Sequence, residues 1–174
     1  SAEFLKASAH VSEVLRSFTD AEVTSAALSL AGSFAARAGG IAADAWSAIP
    51  EALAELSPAD AKRLLTSANG FLERGGGAAL HILLAGGEIL RRAPEIFDEW
   101  IELLWVVAAH GNASLVAFVR SSPGFLRLLG ADMNRAEAIE LSHRVLALTK
   151  EISAIDAEAA LAAFRSSSRA LRTV

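Results

Sequence analysis

The chain has 174 residues, 53% of them hydrophobic but only 6% aromatic, with no cysteine, no tyrosine and a formal charge of −4. The lack of cysteine excludes disulfides, thiolate metal sites and cysteine nucleophiles, and a sequence pI of 5.6 gives no sign of the basic footprint that nucleic-acid binders carry. The length suits one domain or one run of repeats, and we expect a single all-helical repeat domain over 1–174, a fragment of a longer bacterial, cytoplasmic protein.

Apolar residues recur at helical spacing and no stretch alternates with period two, so roughly nine or ten helices are expected and no strands. Thr19 with Glu22 three residues on has the capping-box pattern and opens an early helix. Gly39-Gly40 closes it, and Ser57-Pro58 then places a cap before a proline suited to the first helical position. After Gly75-Gly76-Gly77 comes the most apolar run, ending at Leu90, in a chain whose mean hydropathy is +0.38. A span needs about 20 mostly apolar residues; this run is shorter and holds His81 and Glu88, so it reads as a buried helix with His81 in the core. Peripheral membrane association through the segment around His81 to Ala85 is an alternative use of it.

From Pro94 to Ala109, Glu95, Asp98, Glu99 and Glu102 share one helical face, and Phe97, Trp100, Ile101 and Leu104 share the other. Trp105 flanks that apolar stripe. His110-Gly111-Asn112 reads as a turn, Ser122-Pro123 as a second cap with N1 proline, and Gly130 as a stop. Asn134 with Glu137 opens a helix carrying Glu140 and His143, and Ser153 with Asp156 is a looser cap before a C-terminal helix. There Arg165, Arg169 and Arg172 form a basic stripe opposite Ala160, Leu161, Phe164 and Leu171.

The chain also resembles itself. An offset of 54 places Trp46 on Trp100, Ser67 on Ser121 and Gly70-Phe71-Leu72 on Gly124-Phe125-Leu126. An offset of 37 places Phe34, Arg37, Gly39 and Gly40 on Phe71, Arg74, Gly76 and Gly77, and one of 45 places Arg120-Ser121-Ser122 on Arg165-Ser166-Ser167. Unequal offsets of this size suit irregular helix-pair repeats of the HEAT or armadillo kind, which bury a shared core by stacking as a short solenoid or a compact helical domain.

Chemistry finds few parts to work with. Glu140 and His143 have the E-x-x-H spacing of di-iron helices, but no second copy exists. A metal or small-molecule enzyme centred on Glu140, His143 and His81 is therefore the alternative to a binding protein. The triple glycine lacks the lysine and serine or threonine of a phosphate loop, and no G-x-S-x-G, H-E-x-x-H or EF-hand pattern occurs. No cofactor is expected. The two single-sign stripes, Glu95, Asp98, Glu99 and Glu102 with Trp105, and Arg165, Arg169 and Arg172, are the candidate docking faces, since opposite charge steers a partner.

The stretch Glu99 to Leu126, with Trp100 near its start and Arg120-Ser121-Ser122-Pro123-Gly124-Phe125-Leu126 at its end, resembles a repeated unit in the helical N-terminal regions of NorD/CbbO-type proteins. Trp46 to Leu72 and Ala162 to Leu171 resemble it more weakly. The resemblance implies a non-catalytic scaffold within an adaptor of MoxR-type AAA+ ATPases, which activate or remodel client enzymes. It also implies a protein partner, either the ATPase or its client. The metal site of the von Willebrand factor A domain in that family, D-x-S-x-S, has no counterpart here.

Overall fold

The computed structural model describes residues 20–126 and 134–170, and every regular element among them is helical. They form two compact units, Ser1–Glu88 and Ile89–Val174. Among the described residues there are eight α-helices: α1 (Ala21–Arg37), α2 (Ala42–Leu53), α3 (Pro58–Phe71), α4 (Gly76–Arg92), α5 (Phe97–Ala108), α6 (Asn112–Leu126), α7 (Arg135–Ser153) and α8 (Ala157–Ala170). Short 3-10 turns, Gly39–Ile41 and Pro94–Ile96, precede α2 and α5. No described helix is long and apolar enough to cross a membrane. The apolar run ending at Leu90 lies in α4, where Ala78, Ala79, Ile82, Leu83, Ile89 and Leu90 are buried and His81 is half-buried.

Side-chain caps set half of the eight described helix starts. Ser57 caps α3 by accepting from the Asp60 amide, with Pro58 at the first position where its missing N–H is harmless. Asn134 caps α7 through the Ala136 amide. At α1 the cap is Asp20, whose carboxylate accepts from the Glu22 and Val23 amides, one residue beyond the expected Thr19. At α8 it is Asp156, accepting from Glu158 and Ala159, while Ser153 is still inside α7 and fully buried. Gly111 joins α5 to α6 at φ +113, a conformation that side chains disfavour. The Gly130 stop lies outside the described residues.

Ser122-Pro123 does not start a helix; both lie within α6. The Ser122 hydroxyl faces the core, where it accepts from the Trp100 indole Nε1 at 2.8 Å and donates to the Phe118 carbonyl at 3.2 Å. A hydroxyl committed to those two partners is not available to cap. Pro123 lacks an N–H, so the Val119 carbonyl loses its intrahelical donor near the end of the helix.

Within the first unit, Glu22 near the start of α1 pairs with Lys62 near the start of α3, and Arg37 at the end of α1 pairs with Glu73 just past α3 at 3.4 Å. The two helices thus lie side by side, pointing the same way. α2 and α4 approach through small residues: a Cβ on Gly87 would sit 2.4 Å from the Ala52 carbonyl oxygen. Among the described residues the core is aliphatic with two phenylalanines, Phe34 and Phe71, both at 0% exposure.

The second unit is richer in rings. Trp100 is 1% exposed and tilted against Phe97 with centroids 6.0 Å apart, and Phe164 of α8 lies between Phe118 and Phe125 of α6, at 5.6 and 5.1 Å. Such offset and tilted pairs add to the burial of the rings themselves.

Candidate functional site

The acidic stripe is real as a helical face, but α7 lies along it. Glu95 accepts from Arg135 at 3.2 Å, Glu99 is 2.7 Å from the Nδ1 of His143, and Glu102 pairs with Lys150 at 2.6 Å. The three pairs keep the same order along both elements, so α5 and α7 also run side by side in one direction. Glu95, Glu99 and Glu102 are thereby matched within the unit. Arg135 also donates to the Arg92 carbonyl at 3.0 Å, which ties the start of α7 to the turn before α5. Asp98 stays exposed on the outer side of α5.

Electrostatics follow this geometry. The Glu95 carboxyl is held below the ordinary carboxylate value, first by a hydrogen bond from its own backbone amide; partial burial opposes this, and the Arg135 guanidinium and the nearby His143 add to it. An open depression of about 540 Å³ lies at this junction, lined by Glu95, Asn134, Arg135, Ala136, Ile139, Glu140 and His143. Glu140 and His143 do share that wall, as their spacing predicts. Glu140 pairs with Arg144 at 2.9 Å and His143 with Glu99, and among the described residues no group of three or more His, Cys, Asp or Glu is placed to hold a metal ion.

Trp105 is 42% exposed and lies near the line of Asp98, between the acids and the half-buried Ile101. The apolar face of α5 is instead Phe97, Trp100, Leu103, Leu104, Val107 and Ala108, with Ile101 only half-buried. Sequence spacing gave no sign of the partners opposite the stripe, because they follow it by 40 to 48 residues.

The basic stripe has a different setting. Ala160 and Phe164 of α8 are buried, as expected, and Arg165 is exposed on the opposite side. Its Nε donates to the Ser121 hydroxyl of α6 at 3.0 Å, and Arg120, one residue earlier, is exposed too. The side chain of Arg169 and all of Arg172 lie outside the described residues. Among the described residues neither Arg120 nor Arg165 enters an ion pair, whereas Arg37, Arg63, Arg135 and Arg144 all do. Arg120 is the residue that composition and stripe counting passed over; its signal was the repeated Arg-Ser-Ser triplet.

No protein-family model, curated protein sequence or solved structure matches the chain.

Proposed function

We propose that the chain is a non-catalytic, protein-binding module built from helix-pair repeats, and that it presents helical faces to a partner. The observation that carries this reading is the recurrence, in each unit, of two helices lying side by side in the same direction: α1 with α3, and α5 with α7. Their companions also meet, α2 with α4 and α6 with α8. Parallel neighbours separated by one intervening helix are what stacked helix pairs require. The helices α1, α3, α5 and α7 begin at residues 21, 58, 97 and 135, a spacing close to the period of roughly 40 residues in such repeats.

An adaptor role beside a AAA+ ATPase, with the ATPase or its client enzyme as partner, is the more specific form of this proposal. It rests on the Glu99 to Leu126 resemblance. Glu95, Glu99 and Glu102 are poor docking groups in this form, since a partner would have to displace Arg135, His143 and Lys150. Docking through Arg165 and its neighbours needs no such exchange.

The test is retention of host proteins by the immobilised, folded chain, compared with the same chain unfolded in urea. A defined set of proteins held only by the folded chain, and recovered as a complex in gel filtration, is the expected result. Retention equal for folded and unfolded chain would sink the reading.

A further inference from the structure

We propose that the exposed face shared by α6 and α8 docks a short acidic segment of a partner protein, with Arg120 and Arg165 as the two cations that hold it. The proposal rests on the binding-module reading and names the chemistry of its partner. Arg120 and Arg165 are each the ninth residue of their helices, and the Ser121 to Arg165 hydrogen bond brings those two positions together. Beneath them, Phe164 lies against Phe118 and Phe125, so the helical surfaces that carry the two side chains are fixed by buried rings.

The hydrogen bonding leaves the right edge open. Ser121 donates its proton to the Ala117 carbonyl at 2.8 Å, so its oxygen is free to accept from the Arg165 Nε. With Nε engaged, the two terminal amino groups of that guanidinium remain, and together they form the fork that grips a carboxylate through two parallel bonds. α6 contains no acidic residue at all. The one acid of α8 is Glu158, seven residues before Arg165, which is roughly 10 Å along the axis. Two exposed arginines at neighbouring positions of α6 and α8, neither in an ion pair among the described residues, complement two carboxylates on an extended peptide.

A polyanion such as nucleic acid fits less well. The chain as a whole carries −4, so a long backbone leaving this patch meets net repulsion, while a short acidic stretch ends within it.

The experiment uses fluorescence anisotropy of a labelled oligoglutamate peptide with the whole chain, alongside labelled oligolysine and single-stranded oligothymidylate. At low ionic strength, oligoglutamate should bind saturably and oligolysine should not. The double reversal Arg120→Glu with Arg165→Glu should weaken binding by about tenfold or more, and Arg120→Lys with Arg165→Lys by less, because it keeps the charges but loses the fork. Circular dichroism checks that each variant keeps its helicity, and the milder Arg120→Ala with Arg165→Ala pair replaces the reversal if it does not. The proposal is overturned if oligoglutamate does not bind, if the substitutions leave its binding unchanged, or if oligothymidylate binds as tightly. Retention of host proteins that survives the double reversal would move docking elsewhere while leaving the binding-module reading intact.

Discussion

In the first unit, α2 and α4 meet backbone to backbone at Ala52 and Gly87; in the second, α5 and the turn before it are joined to α7 by three acid–base pairs at their surface, above a core of Trp100 and clustered phenylalanines. The contrast is one of tolerance. A contact with no room for a methyl group responds to the smallest addition. An exposed ion pair can lose a member at little cost, since solvent screens most of the attraction.

Four measurements sharpen that contrast, and a fifth probes the pairs of the first unit. The largest effect is expected for Trp100→Ala, which empties a fully buried site and removes the donor to Ser122; urea unfolding should show a loss of about 3–5 kcal/mol. Next comes Gly87→Val, whose added atoms meet the Ala52 carbonyl, with a loss of about 1–3 kcal/mol in the same assay. Glu102→Gln should cost no more than about 1 kcal/mol, because Glu102 is exposed and Lys150 only half-buried. If Glu102→Gln cost as much as Gly87→Val, the distinction between the two seams would collapse.

Smaller still is the pH response of Glu95. Its folded value is lowered from 4.5, so its contribution is fully present above 4.5 and is lost as pH falls through the lowered value. The difference in thermal midpoint between the wild-type chain and Glu95→Gln should therefore shrink on acidification through that range; a difference that grew instead would contradict the assignment. The smallest effect belongs to Lys62. Its folded value is raised above 10.5, first by the hydrogen bond to Glu22 and then by that carboxylate's charge, so its contribution is complete below 10.5 and fades only as pH rises through the raised value. Thermal midpoints of Lys62→Met and wild type should accordingly converge at strongly alkaline pH and nowhere else.

The sequence was most readable where the physics is local. Ser57-Pro58 and Asn134 cap helices because a side-chain oxygen two or three residues from an amide needs nothing else. Asp20 and Asp156 accept from the first amides of α1 and α8, one and three residues beyond the positions that spacing marked, and Ser153 itself lies inside α7. The acidic face of α5 was legible from its 3.6-residue period. Its neutralisation was not, since Arg135, His143 and Lys150 come from a helix that only tertiary packing brings alongside. Trp105 lies with the acids because seven residues after Asp98 return to nearly the same helical angle, and it is 42% exposed there. The Ser122-Pro123 pair misled because the same two residues open a helix when the serine faces solvent and lie within one when it faces a tryptophan.

That last pair carries a consequence for anyone redesigning the chain. A scheme that raises helix propensity position by position would replace Ser122 with alanine, the best helix former, and would count the change as an improvement. Here it would strand the Trp100 indole N–H in an apolar interior, with the acceptor gone and no water expected to replace it. Optimisation by local rules would thus select against a buried polar contact that joins α5 to α6.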